Sequence, residues 1–389
     1  MAEIAANEMI KKLVGFDTTS RNSNLALIEF IKGYLDEHGV ESQLTFDDDG
    51  GKANLFATLG PQETEGGVVL SGHTDVVPVD GQDWSHDPFE VVERDHRLFG
   101  RGTADMKGFI ATALTLTPEF LSADLNVPIH FAFTYDEETT CAGAKNLVKT
   151  LSAQGYSPRA VIIGEPTSMR VVNAHKGGYD YTTRVLGQEA HSSLTHHGVN
   201  AIAVAADLIN HLLNYSSELA SKADPNNGFD PPYSTLSIGT IEGGTATNIV
   251  AKECHFNWDW RPIPGDPLEG PRNSLEDYAE SILPGLREIA PQAKIVTELN
   301  SGHIPLMPLE GSSAESLVMA LAETNQTYKV SYGTEGWCYQ EYDMPVVVFG
   351  PGSIEQAHKP NEFITLDQIH LAEKFLLRLL LFYQSMELS

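Results

Sequence analysis

GVVLSGHTDVVP, residues 67–78, places an uncharged apolar run directly before a Gly-His-Thr-Asp turn and closes on a proline. The run Gly67–Ser71 is short and without charge, which reads as a buried strand. AVIIG at 160–164 and PVVVF at 345–349 have the same character. Between and around them lie segments with helical spacing: Leu25–His38, Gly108–Phe120 and Ala142–Gln154. A further strand is expected over Val127–Tyr135, and a closing helix over Leu366–Tyr383. Short β-rich runs alternating with helices predict an α/β domain with a mostly parallel central sheet.

The pattern changes near Tyr179. YDYTTRVLG alternates like a strand with one wet face. A helix follows over Asn200–Tyr215, then strands around Tyr233–Glu242 and Glu253–Arg261, a helix near Ser274–Ile289 and a strand near Lys294–Leu299. That β-α-β-β-α-β order is the split, ferredoxin-like unit. The expected organisation is a catalytic domain over 1–178 and 301–389, interrupted by a smaller α+β domain over 179–300.

Composition fits this reading. A chain of 389 residues suits two domains, and 41% hydrophobic with 20% charged residues is an ordinary globular balance. The formal charge of −28 opposes nucleic acid and anionic membrane surfaces, because both demand a basic face. Cys141, Cys254 and Cys338 lie too far apart for a paired framework, so a reducing, cytoplasmic setting is expected. Met9, Ile10, Leu13 and Val14 fall at helical spacing, so the first residues read as a surface helix. Phe375–Tyr383 is too short to span a bilayer.

The polar residues of interest follow predicted strands, where open α/β sheets bind ligands. His73 and Asp75 could be a metal ligand and the carboxylate that takes its ring N–H; in isolation such a pair is more often a turn with a surface His and an N-cap Asp. Asp105 sits in the glycine-rich turn GRGTADMKG (100–108), which is not a dinucleotide fingerprint, because a carboxylate occupies the place of the third glycine. Asp136, Glu137 and Glu138 adjoin one another; proteins tolerate such acids in water or around a cation. Glu165 follows AVIIG, and His358 lies in a loop held by Gly350, Pro351 and Gly352. Together they make two imidazoles and several acids at strand ends, a set that suits two borderline cations. The histidines favour zinc, with cobalt or manganese as substitutes. No His-Glu-x-x-His, Gly-x-Ser-x-Gly or P-loop pattern competes.

These motifs carry a resemblance. GHTDVVP, GRGTADMKG, DEET, IIGEPTS and GPGSIEQAHKP occur in the order, and over most of the length, of the acetylornithine deacetylase / succinyl-diaminopimelate desuccinylase family of two-zinc aminoacyl hydrolases, which the chain resembles. The resemblance implies that His73 and Glu165 bind one Zn2+, that Glu138 and His358 bind the other, and that Asp105 bridges both. It implies that Asp75 orients His73, that Glu137 is the general base, and that the Asp105–Met106 bond is often cis. From the inserted domain it implies substrate contacts by His191, Asn248 and Arg261. His191 would act as an oxyanion donor in the partner subunit's site, and Arg261 as a fork for the α-carboxylate. The inserted domain would then be a lid and a homodimer contact.

IIGEPTS, AHKG and GPGSIEQAHKP look most like the acetylornithine-cleaving branch. That implies a small N-acyl amino acid as substrate, with N2-acetyl-L-ornithine giving L-ornithine and acetate. Desuccinylases carry consecutive arginines where this chain has His175-Lys176, which favours acetyl over succinyl. Glu335, in YGTEG, could meet a substrate ammonium or be a solvated loop acid. A succinyl-diaminopimelate desuccinylase, a broader aminoacylase or dipeptidase with the same two metals, and a metal-free scaffold or binding relative are the alternatives.

Overall fold

The computed structural model describes residues 4–62 and 65–385. The chain forms two compact units, Met1–Asn173 with Pro308–Tyr328 and Thr334–Ser389, and Ala174–Met307 with Lys329–Gly333. The return of 329–333 to the second unit has no counterpart in the hydrophobic pattern.

The opening segment carries α1 (Ala6–Val14), α2 (Leu25–Glu37), β1 (Ser42–Phe46), β2 (Ala53–Leu59), β3 (Glu65–His73), β4 (Val92–Arg94), β5 (Arg97–Phe99), α3 (Lys107–Thr115), α4 (Thr117–Ser122), β6 (Ile129–Thr134), α5 (Ala142–Ala153), β7 (Ser157–Ile163) and β8 (Val172–His175). Next come β9 (Gly178–Leu186), α6 (Ala201–Ser221), β10 (Thr235–Gly243), β11 (Glu253–Arg261), α7 (Gly270–Ile289) and β12 (Lys294–His303). The chain closes with α8 (Ser313–Leu321), β13 (Tyr328–Val330), α9 (Gly336–Gln340), β14 (Val346–Val348), β15 (Phe363–Thr365) and α10 (Leu366–Ser385).

The central sheet has the order β1-β2-β6-β3-β7-β14-β8-β13. Its middle pairs, β6 with β3, β3 with β7 and β7 with β14, are parallel. The outer pairs β1–β2, β2–β6 and β14–β8 are antiparallel. All of β6 and nearly all of β3 are buried, as expected for strands covered on both faces. Helices α1 and α10 both pack on α3, which also packs on β3. The single helix expected over Gly108–Phe120 is two, broken at Leu116, because Pro118 has no amide hydrogen to continue the ladder.

Register decides where the loops emerge. His73 lies opposite Thr134, Ser71 opposite Ile163, and Val348 opposite Ile163. The four parallel strands therefore end together, and their following loops carry Asp75, Glu137, Glu138, Glu165 and Gly350. A small separate sheet, β15-β5-β4, pairs Phe99 with Phe363. It sets the chain entering the Asp105 turn beside the chain leaving His358.

The second unit is one antiparallel sheet of order β10-β11-β9-β12 against α6 and α7. On β11 the alternation is complete, with Cys254, Phe256, Trp258 and Trp260 buried. They pack with Tyr181 and Val185 of β9, Leu208 and Leu212 of α6, and Leu275 of α7. Tyr181 stacks on Trp258 at 4.3 Å between ring centres. Asn200 caps α6, accepting from the amides of Ile202 and Ala203. Among the described residues no helix is long and apolar enough to cross a membrane.

Candidate metal centre

Six side chains converge at the strand ends of the first unit. His73 ends β3, and its Nε2 lies 3.0 Å from Asp105 Oδ1 and 3.5 Å from Glu165 Oε1. His358 Nε2 lies 3.3 Å from Asp105 Oδ2 and 3.1 Å from Glu138 Oε2. Asp105 thus turns one oxygen to each imidazole. Ligand atoms of His73, Glu137 and Glu165 fall within 4.8 Å of one another, as do those of His73, Asp105 and Glu138. The Asp105–Met106 peptide is cis.

Burial shapes the charge. Glu137, Glu138 and Glu165 are pushed above the ordinary carboxyl range, first by desolvation and then by one another and by neighbouring acids or thiol. Desolvation also opposes ionisation of Asp105, but bonds from His358 and His73 outweigh it and hold that carboxyl low. The same pairing, with Asp105 first and Glu138 next, raises His358 to about 10. Among the described residues no Lys or Arg forms an ion pair with Asp105, Glu137, Glu138 or Glu165. Buried acids that meet imidazoles but no Lys or Arg form a donor set that fits a divalent ion, and mixed imidazole–carboxylate donors suit two borderline cations.

The role expected of Asp75 is changed in its atoms. The ring nitrogen Nδ1 of His73 meets the backbone carbonyl of Asp75 at 2.9 Å, and its carboxylate at 3.7 Å. That carboxylate is occupied elsewhere: Ser20 Oγ donates at 2.6 Å, and the amides of Glu137 and Glu138 at 3.1 and 3.4 Å. Asp75 therefore fixes the imidazole through its main chain and the double-glutamate loop through its side chain. Asp136, the third acid of that loop, is drawn off to Lys52.

Glu335 corrects both expectations held for it. It is neither a solvated loop acid nor open to a substrate ammonium. It is fully buried and accepts from Ser71 Oγ at 2.6 Å and Thr134 Oγ1 at 2.5 Å. Lys176 is also buried, and its Nζ donates to the Tyr233 carbonyl at 2.7 Å. Burial pulls its ammonium down to about 8.

His191, Asn248 and Arg261 belong to the second unit. The exposed His191 meets Ser193 Oγ at 2.8 Å, and its backbone bridges to Ile249, beside Asn248. Arg261 ends β11 and donates from Nε to both carboxylate oxygens of Asp259 at 3.0 Å.

Several supporting residues escape sequence reading. Ser20, Gln82, Arg101 and Glu362 each hold a part of the centre. Each looks like an ordinary loop residue in the chain, and only partnership gives it meaning. All three cysteines are buried and free.

Residues 69–381 match the model of peptidase family M20/M25/M40. The acetylornithine deacetylase of Aliivibrio salmonicida is 36% identical over 358 residues, 91% of this chain and 90% of that protein. That of Edwardsiella ictaluri is 37% identical over 350 residues, covering 89% and 88%. Among solved structures, a Staphylococcus aureus tripeptidase superposes with TM-score 0.78 at 20% identity, over 99% of this chain and 100% of the other. A dinuclear metal-binding peptidase of Bacillus subtilis gives 0.66 at 17% identity, over 98% of both. These last two likenesses concern the fold.

Proposed function

The chain belongs to peptidase family M20/M25/M40 and is an amidohydrolase, and from that premise we propose that it removes the acetyl group of N2-acetyl-L-ornithine using two Zn2+ ions. The observation that carries the metal assignment is Asp105, whose two oxygens face two different histidines, as a shared ligand must. His73 and Glu165 would hold one ion, His358 and Glu138 the other. Bound there, two divalent cations supply Lewis acidity and a water of lowered pKa.

The remaining chemistry belongs to Glu137. Burial raises its carboxyl well above the ordinary range, which suits a group that must take a proton and give it back. It receives the proton of the attacking water and passes it to the nitrogen of the leaving amine. Asp75 holds the Glu137 backbone in place through its amide. In the second unit, Arg261 would offer its terminal nitrogens to the substrate α-carboxylate, since the pairing with Asp259 uses Nε. Asn248 is a further substrate contact, and His191 a donor to the oxyanion. That last role requires a homodimer formed through the second unit.

Acetyl specificity is supported by the relatives at 36–37% identity and by Lys176. Its ammonium is buried on the Tyr233 carbonyl, so it offers no free cation to a second acyl carboxylate. With metal-loaded enzyme, kcat/KM for N2-acetyl-L-ornithine should exceed that for N-succinyl-diaminopimelate and for simple dipeptides. The reverse order in that panel would sink the substrate assignment.

A further inference from the structure

His358 differs from the other proposed ligands in how it is held. Its side chain is 53% exposed, whereas those of His73, Asp105, Glu138 and Glu165 are at most 8% exposed. Packing cannot fix an imidazole that open to water. Its backbone also occupies the left-handed region, at φ 64°, so the loop needs a local restraint.

The restraint lies on the outer side of the loop. Gln82 Nε2 donates to the His358 carbonyl at 2.9 Å. Gln82 Oε1 accepts from Arg101 Nη2 at 2.6 Å and from Trp84 Nε1 at 2.9 Å. The Arg101 guanidinium lies 5.1 Å from the Trp84 ring centre, and its Nη1 donates to the next carbonyl along, Lys359, at 3.3 Å. Nη1 also donates to Glu362 Oε2 at 2.8 Å, and both side chains are about fully buried. Glu362 completes the circuit. It accepts from the amide of Gly102 at 3.0 Å, of Ala104 at 2.9 Å and of Asp105 itself at 3.1 Å.

We propose that Gln82, Arg101 and Glu362 are positioning residues that set His358 against Asp105 and thereby fix the affinity of the second metal position. The inference rests on the two-metal reading above. The path runs from the amide of the shared ligand, through a carboxylate, a guanidinium and a carboxamide, to the carbonyl of the exposed ligand. Each joint has a defined direction. The Glu362 carboxylate takes four donors on two oxygens. The planar guanidinium serves Glu362 and Gln82 with different nitrogens, a task that a single ammonium cannot copy. The carboxamide is the only one of the three that both accepts and donates, so it takes an N–H of Arg101 on one side and gives its own to the His358 carbonyl on the other. Partners behind a metal ligand of this kind control its orientation.

Gln82 gives the cleanest test, because it is half-buried and outside the core. Gln82→Glu keeps an acceptor for Arg101 and Trp84 but has no donor for the His358 carbonyl; Gln82→Met removes both. Metal-free full-length chain is titrated with Co(II), followed by visible absorption and calorimetry, alongside His358→Ala, which identifies the event belonging to the second position. Both Gln82 variants should bind the first ion as the wild type does and the second about 10-fold or more weakly, with the melting temperature of the metal-free chain unchanged. Wild-type binding of the second ion by either variant overturns this inference alone. A wild-type chain that takes up fewer than two ions overturns the metal reading and this inference with it.

Discussion

Glu137 and Glu138 are neighbours in the chain whose surroundings part them. Glu138 Oε2 is drawn to His358, while a Glu137 carboxylate oxygen lies among His73 and Glu165. One anion, Asp75, restrains both amides. If Glu137 is the proton carrier, Glu137→Gln should leave metal content intact and lower kcat by about 10²- to 10⁴-fold. Metal analysis and steady-state assay of the same preparation test it, and a Gln variant with wild-type turnover refutes the role. His130, on β6, gives a second prediction that is independent of the metal centre. It is buried between Phe56 and Tyr156, with Nδ1 at 2.9 Å from Thr58 Oγ1. Desolvation lowers its pKa from 6.5 to about 4. Between those values the unfolded chain binds the proton and the folded chain does not, so stability falls as pH falls through that window. The span corresponds to about 3 kcal/mol. Denaturant midpoints measured from pH 7 to pH 4 should drop less steeply in His130→Gln than in the wild type, and parallel curves would refute it.

At the scale of elements, the strands with long buried stretches were the legible ones. The inner parts of β3, β7 and β14 appear in the sequence as short apolar runs, VVL, AVII and VVV, and β6 as the mostly apolar IHFAFT, because the sheet is covered on both faces. β1, β4, β5 and β15 were not legible. They are short and carry mixed residues such as SQLTF and VER, so their identity comes from pairing alone. The same limit applies to Glu335, whose neighbours Ser71 and Thr134 come from strands more than 200 residues earlier. Close packing at the end of β7 supplies a prediction. A Cβ on Gly164 would stand 2.0 Å from the ring of Phe109, and one on Gly350 would stand 2.1 Å from the Gly164 carbonyl. Gly164→Ala must therefore displace α3 or β7, at a cost of about 1–3 kcal/mol, and carry Glu165 with it. Thermal unfolding together with Co(II) binding measures both effects; an Ala variant that melts and binds like the wild type contradicts the packing argument.

For the whole molecule, charge and assembly meet. Each chain carries −28, so two copies repel and salt that screens this repulsion should favour their association. If His191 serves the partner subunit's site, specific activity should fall on dilution in step with dimer dissociation, and fall sooner at low salt. Sedimentation and assay over one dilution series test this, and a fully active monomer would dismiss the shared site. The amino-acid sequence by itself determined the α/β class, the β-α-β-β-α-β insertion and the acids and histidines worth watching, because hydrophobic period and strand-end position are local properties. Only the tertiary structure decided that Asp105 faces two imidazoles, that Asp75 spends its carboxylate on the Glu137 loop, that Glu335 is sealed in the core, and that Gln82 reaches His358. Those are meetings of residues remote in the chain, and strand register and loop closure settle them.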